Sequence, residues 1–349
     1  MVSGTESSII DDAREVVSML KQAGADLSTD LALASLLGLP GKPLKRMDVD
    51  VLAVIGSDKL LLSILLRMGE ADIPILPVSS KGQPDFLFDV TASGFETIVG
   101  DILDRKWTVD HRLRLVADIS GQESPPVLND IAVFAKRSAT LIRYSLLLNN
   151  EEFIKDGSDG LIVATPTGST AYSMSGGGPV ILSPARVISI VPVNSVNPAQ
   201  RPTIVSEETQ IVIKDLTSTV GIEAILDGQI RKSVDDQPVT VRKSDSDAVF
   251  VKFAEERIAA LRGKIFEKAE SFETVAQGLP PSAKLVLKAL EYKGQLTQKE
   301  ITDETMLPSR TVRYALSLLM SEGLVSKHFS LRDSRQGLYS VNKKRHQSS

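Results

Sequence analysis

The sequence predicts an N-terminal α/β layer, a β-rich sandwich and a small C-terminal helical unit closed by a β-hairpin. Three observations predict it. Before residue 110 the apolar residues alternate between helical and strand spacing, in strand–helix–strand order. The middle of the chain is a succession of short strand-like runs separated by Gly, Pro, Asn and Asp. Beyond Gln277-Gly278-Leu279-Pro280-Pro281, which reads as a linker, amphipathic helical patterns return. The expected divisions are 1–110, 111–270, a linker at 271–281, a unit at 282–342 and a basic tail at 343–349.

In the first part, Ile9, Ala13, Val16, Val17 and Leu20 fall on one helical face, and Gly24 ends that helix. Val49–Ile55 is a β-branched, apolar run ending at Gly56, the pattern of a buried strand. Lys59–Met68 reads as the following helix and Ile73–Val78 as the next strand. No strand is expected ahead of the first helix. In the second part, strands are expected at Leu113–Ile119, Val127–Lys136, Ala139–Leu148, Gly160–Thr165, Val187–Pro192, Thr209–Lys214, Gly221–Leu226 and Val239–Arg242. Such a set folds as two packed sheets. One helix is expected from Ser169 and another over Ala254–Lys268.

Composition narrows the function classes. The chain of 349 residues has no cysteine, which excludes disulfides, thiolate metal sites and cysteine nucleophiles and fits a cytoplasmic protein. Its three histidines are scattered and form no metal-ligand pattern. No apolar run approaches the roughly 18 residues that span a bilayer. The first eight residues lack a secretory pattern. The net charge of -4 is unevenly spread. From Pro280 onward there are 12 basic and 6 acidic residues, so this segment is positive and the rest strongly negative. A basic unit on an acidic body points to a polyanion partner for that unit, with a merely solubilising surface as the alternative.

The most informative stretch is Asp159-Gly160-Leu161-Ile162-Val163-Ala164-Thr165-Pro166-Thr167-Gly168-Ser169-Thr170-Ala171-Tyr172-Ser173. A buried strand runs into a turn of hydroxyls and backbone N–H groups, suited to polar or anionic ligand groups. Val127-Leu128-Asn129-Asp130, Arg201-Pro202 and Asp227-Gly228-Gln229 accompany it in that order. Together these resemble the motifs of the NAD kinase family over roughly residues 36–264. The resemblance implies that Asn129 and Asp130 hold the NAD ribose and adenine. It implies that Thr170, Ala171, Tyr172 and Ser175 line the adenine pocket, that Asp159 lies near the nicotinamide end and that Gln229 supports the site. It further implies dimers or tetramers with sites at subunit interfaces, and transfer of the ATP γ-phosphate to the 2′-hydroxyl of the adenosine ribose. ATP enters with Mg2+, and NAD is the substrate or a sensed ligand.

The catalytic loop departs from the family. Gly56-Ser57-Asp58-Lys59-Leu60 stands where the family has Gly-Gly-Asp-Gly-Thr. The resemblance implies that Asp58 acts as the base and that Gly56, Ser57 and Lys59 form the phosphate loop. Side chains at Ser57 and Lys59 intrude on the phosphate approach, and if the Lys59 position needs positive φ, as the family's glycine there allows, a side chain costs on the order of 1 kcal/mol or more. A Lys ammonium here can also pair with phosphate. Two functions are therefore carried forward: an ATP-dependent NAD kinase with an appended DNA-binding domain, and a weakly active or inactive NAD(P)-sensing transcriptional regulator.

In the C-terminal unit, Ser282–Tyr292 is helical with Ala283, Val286, Leu287 and Leu290 inward. Thr297-Gln298-Lys299-Glu300 is a capping box. Ser309 caps a helix over Arg310–Glu322, ended by Gly323. Leu324–Leu331 and Gly337–Val341 pair around Arg332-Asp333-Ser334-Arg335-Gln336. This resembles the winged helix-turn-helix of MarR- and ArsR-like regulators. The resemblance implies double-stranded DNA as partner, read by Ser309, Arg310, Thr311, Arg313 and Tyr314, with Arg332 and Arg335 at the wing. Such domains also serve protein contact, which is the alternative.

Overall fold

The computed structural model describes residues 1–4, 7–80, 86–235, 237–253, 280–293, 295–305, 307–329 and 337–341. The chain divides into two compact units, Met1–Glu255 and Glu256–Ser349.

The first layer of the larger unit is a sheet in the order Val2–Ser3, Leu52–Gly56, Ile75–Ser79, Ala248–Lys252, Thr108–Arg112. The first four strands run parallel and Thr108–Arg112 runs antiparallel at the edge. Both faces are covered, which is why Leu52–Gly56 and Ile75–Ser79 are buried along their whole length. The helix Ser7–Gln22 lays Ile9, Ala13, Val16, Val17 and Leu20 against Ile55 and Val78 on one face. The helix Asp58–Met68 lays Leu61, Ile64 and Leu65 against Leu52 and Val54 on the other.

Two expectations change here. A strand does precede the first helix: Val2 and Ser3 pair with Val54 and Ile55. Two residues are too short to show a period of two, so only the pairing reveals them. The division expected at 110/111 falls inside Thr108–Arg112, and Ala248–Lys252 returns to the first layer from the far end of the β-rich part.

The β-rich layer is a sandwich of two antiparallel sheets. One runs Thr203–Ser206, Val187–Val193, Gly160–Ala164, Asp130–Ala135, Ile222–Leu226, Ile230–Val234; the other runs Glu151–Ser158, Ile142–Leu148, Ile211–Ser218, Val239–Lys243, Leu115–Ile119, Gln122–Glu123. Ile131, Val133, Leu161 and Ala224 from the first meet Leu115, Ile142, Ile213 and Val241 from the second in one core. Leu128, just before Asp130–Ala135, packs instead with Leu61 and Ile64 in the core of the α/β layer. The Leu128-Asn129-Asp130 segment therefore sits where the two layers meet.

The helix expected from Ser169 is a 3-10 turn, Thr167–Thr170, followed by a single helical turn, Tyr172–Ser175. Side-chain hydroxyls break the helical ladder: Gly168 N–H donates to Thr165 Oγ1 (3.0 Å), and Ser169 Oγ donates to the Pro166 carbonyl (2.6 Å). The expected helix over Ala254–Lys268 lies outside the described residues.

The smaller unit has helices Pro281–Lys293, Gln298–Thr305 and Ser309–Ser321, with a three-stranded sheet in the order Leu296–Thr297, Gly337–Val341, Val325–Phe329. Ala283, Val286, Leu290, Ile301, Val312, Ala315, Leu316 and Leu319 form its core. The capping box is present: Thr297 N–H donates to Glu300 Oε2 (2.7 Å) and Glu300 N–H to Thr297 Oγ1 (3.2 Å). The Thr297 N–H and, next to it, the Thr297 hydroxyl, which donates to the same Oε2 (2.8 Å), hold the Glu300 carboxyl below its usual range. Ser309 is not a cap. Pro308 occupies the N-cap, and Ser309 Oγ instead accepts from Gln298 Nε2 (3.3 Å). The wing tip with Arg332 and Arg335, and the tail, lie outside the described residues.

Candidate functional site

The loop after Leu52–Gly56 is built without the strain expected of it. Gly56 alone carries a left-handed backbone there, at φ +151°, and a Cβ on it would lie 2.8 Å from Leu60 Cδ2. Ser57 is extended (φ -120°, ψ 165°), and Asp58 and Lys59 open the helix. Positive φ is therefore not required at Lys59, and its side chain is exposed. Asp58 uses both carboxylate oxygens. Phe86 N–H donates to Oδ2 (3.0 Å) and Leu87 N–H to Oδ1 (2.9 Å). Each oxygen retains a second lone pair for another donor.

Across the layer junction, Leu128-Asn129-Asp130 is gripped from both sides. On its N–H side stands the Asp227 carboxylate: Leu128 donates to Oδ2 (2.8 Å), while Asn129 (2.8 Å) and Asp130 (3.1 Å) donate to Oδ1. On its carbonyl side stands Thr165: its N–H donates to the Asn129 carbonyl (2.9 Å) and its Oγ1 to the Leu128 carbonyl (2.6 Å). Gly168 packs flat on the same peptide. A Cβ there would fall 2.0 Å from the Asn129 carbonyl oxygen. Asn129 Oδ1 is left buried with no partner among the described residues. A buried acceptor without a donor costs on the order of 1–3 kcal/mol, so this atom has capacity for one more donor.

Asp130 faces the same region. Burial, together with the neighbouring Asp227 charge, pushes its carboxyl up to about 8, against one backbone donor from Tyr172. Burial also raises Asp227, to about 6, but three N–H donors pull it back towards the ionised form. Asp227 is thus the charged member near neutrality and Asp130 holds the proton. The sign follows. A folded-state value above the ordinary 3.8 contributes stability that is complete below about pH 4 and lost as pH rises through about 8. Asp130→Asn is expected to remove that loss. Thermal melts across this range should show the variant gaining on the wild type as pH rises; a constant difference would contradict the assignment.

The structure brings Asn129, Asp130, Thr170, Ala171 and Tyr172 together. Thr170 is buried, Ala171 half-buried, and Tyr172, 42% exposed, stacks on Phe134 at 5.6 Å and 26°. Ser175 is exposed one turn on. Asp159 is not brought in. It precedes the strand Gly160–Ala164 at the end away from Thr165, roughly 20 Å off at about 3.3 Å per residue, and accepts from Asn194 Nδ2 (2.8 Å). Gln229 is half-buried in the hairpin turn, its N–H bonded to the Leu226 carbonyl (2.8 Å). Two residues of the grip, Thr165 and Asp227, carried no role in the sequence reading. Both lie inside quoted motifs, but an Asp before Gly in a hairpin and a Thr after a strand are also ordinary turn residues.

In the smaller unit, Arg310, Arg313 and Tyr314 are exposed on the outer face of Ser309–Ser321, with Tyr314 62% exposed, and Thr311 is half-buried. Val312, Ala315, Leu316 and Leu319 face inward, as the spacing predicts.

A parallel α/β layer with a glycine-led loop, joined through one gripped peptide to a β sandwich and followed by a winged helix, defines the class: a two-layer nucleotide-site core with a helix-turn-helix appendage. Residues 128–253 match the ATP-NAD kinase C-terminal domain, and residues 277–336 match the MarR family. The NAD kinase of Methanothermobacter thermautotrophicus is 30% identical over 264 residues, covering 74% of this chain and 92% of that protein. The NAD kinase of Methanopyrus kandleri is 32% identical over 217 residues, 62% of this chain and 78% of the relative. The chain belongs to the NAD kinase family. Among solved structures, an NAD kinase from Archaeoglobus fulgidus in complex with ATP superposes at TM-score 0.63 with 26% identity, over 76% of this chain and 97% of that one. Yeast NADH kinase complexed with NADH shares the fold at TM-score 0.69 and 20% identity, over 76% of this chain and 86% of that one.

Proposed function

We propose that the chain transfers the γ-phosphoryl group of ATP to the 2′-hydroxyl of the adenosine ribose of NAD, giving NADP, and that its winged helix binds double-stranded DNA. The observation that carries the first part is the gripped Asn129, its buried Oδ1 open to a ligand donor. Asn129 and Asp130 take the adenosine ribose, with Thr170, Ala171 and Tyr172 beside the adenine and Ser175 at the rim. Asp58 accepts the proton of the attacking hydroxyl on a remaining lone pair. Gly56, Ser57 and Lys59 face the phosphates. Among the described residues no three acidic or histidine side chains converge on a metal position. Mg2+ in this reading is carried by the triphosphate as part of the substrate. Asp159, remote from Asn129 in one chain, serves the nicotinamide end of a site completed by a second copy, so a homo-oligomer belongs to the proposal. No helix among the described residues is long and apolar enough to cross a membrane. A cytoplasmic location suits a protein that uses NAD and ATP.

The test is direct. Purified protein with Mg-ATP and NAD should form NADP, followed by a NADP-specific dehydrogenase coupled to the reaction. NAD binding without NADP formation would make the chain an NAD-sensing regulator instead. Failure of both would remove the site assignment.

For DNA, Arg310 and Arg313 supply phosphate contacts at the start of the recognition helix, beside Ser309, Thr311 and Tyr314. Replacing both arginines with Ala is expected to abolish electrophoretic retardation of the fragment upstream of the chain's own gene. In a fluorescence titration with nonspecific duplex it should reduce the slope of log K against log salt by about 2. A wild type that shifts no fragment at low salt would sink the DNA reading and leave the unit to protein contact.

A further inference from the structure

The Asp-Gly-Gln turn holds a role that the residues named so far do not cover. Asp227 sits at φ +48° between the strands Ile222–Leu226 and Ile230–Val234. Its main-chain N–H donates to the Asp130 carbonyl (3.0 Å), and its carboxylate folds back to take three successive N–H groups, from Leu128, Asn129 and Asp130. Leu128 is fully buried and Asn129 nearly so. Without Asp227 the Leu128 and Asn129 N–H groups would have no acceptor in the core, an expensive state for buried backbone. Thr165 closes the opposite side of the same peptides through two further bonds.

We propose that Asp227, acting against Thr165, is the positioning residue of the nucleotide site: the pair clamps the Leu128–Asp130 backbone and so fixes where Asn129 and Asp130 present their side chains. The inference rests on the NAD-binding reading above and assigns to Asp227 the supporting part that the turn's Gln229 was expected to play. Asp227 holds the planes either side of Asn129, and Thr165 holds both carbonyls flanking it. Four bonds to two planes leave the backbone no rotation, so the side chain can move only about its own torsions. An Asn at 227 turns one acceptor into an NH2 that faces an N–H, and at least one plane is released. A displacement of about 1 Å at a binding group is enough to cost on the order of 10²-fold in function. The two clamping residues, Asp227 and Thr165, both follow strands of the β sandwich, while Asp58 and its loop lie on the α/β side. Loosening the clamp therefore affects NAD and spares ATP.

The experiment compares Asp227→Asn with the wild type by calorimetric titration with NAD, by the KM for ATP in the coupled assay, and by amide hydrogen exchange at Leu128, Asn129 and Asp130. The expected result is at least a tenfold weaker NAD affinity, a KM for ATP within twofold of the wild type, and faster exchange at the three amides. NAD affinity within twofold of the wild type in a folded variant would overturn the proposal. So would NAD and ATP constants that worsen together, since that is the signature of general loosening. If the Asn variant does not fold, Thr165→Val, which removes the hydroxyl's bonds to the Leu128 carbonyl and from the Gly168 N–H at nearly equal volume, is held to the same two outcomes. A wild type that binds no NAD identifies failure of the parent reading; a wild type that binds NAD beside folded variants that bind it within twofold as tightly identifies failure of this one.

Discussion

Replacing Asp58 with Asn is expected to cut NADP formation by about 10²–10⁴-fold, the range for a lost general base, with the calorimetric NAD affinity held within a few-fold. The separation follows from position. Asp58 is in the first turn of Asp58–Met68, on the α/β side of the junction. Asn129, Asp130 and Tyr172 stand on the β side. Asp58 also pins the chain at Phe86 and Leu87 through two N–H bonds. The Asn variant places an amide NH2 against one of those donors, so part of the loss arises from a released segment rather than a missing base. The two parts separate by amide exchange: a released segment speeds exchange at Phe86 and Leu87, whereas a lost base leaves it unchanged. Full activity in the variant would show that the proton leaves by another route and that Asp58 is a structural pin alone.

Gly168→Ala is expected to be nearly as damaging, by a different mechanism. The added Cβ would lie 2.0 Å from the Asn129 carbonyl oxygen, 2.4 Å from its carbon and 2.7 Å from its Cα. All three are backbone atoms of a peptide held by Asp227 and Thr165, so the neighbour cannot yield as a flexible side chain would. Overpacking against fixed backbone costs about 3 kcal/mol or more. For a unit of this size that corresponds to a Tm lowered by roughly 10 °C, together with loss of NAD binding as the Thr167–Thr170 turn is forced off Asn129. A melt within 2 °C of the wild type and unchanged NAD affinity would mean that the turn has slack the close packing does not reveal.

Much of this was legible in the residues, for identifiable reasons. The helix Ser7–Gln22 was readable because five inward residues, Ile9 to Leu20, repeat at helical spacing along most of its 16 residues. The inner face of Ser309–Ser321 was readable for the same reason, and the capping box because its two partners are three residues apart. Asn129, Asp130, Thr170, Ala171 and Tyr172 were singled out by motif order, and the fold places them near one another because Gly168 and Thr165 pack on the Asn129 peptide. The strain expected at Lys59 was not there, because the helix begins one residue earlier than its apolar pattern and takes Lys59 into ordinary helical geometry.

What the sequence by itself determined are the features written within one turn or one strand: amphipathic faces, caps, the buried run ahead of Thr165, the acidic body and basic end. What only the tertiary structure decided are the partners far along the chain. Ala248–Lys252 joins a strand 175 positions earlier, Phe250 opposite Ile75. The Asp227 carboxylate reaches N–H groups 97 to 99 residues away. A period records only which face of an element is apolar. It carries no record of which distant donor a side chain will meet, because that bond forms only after the sheets have packed and fixed both ends in space.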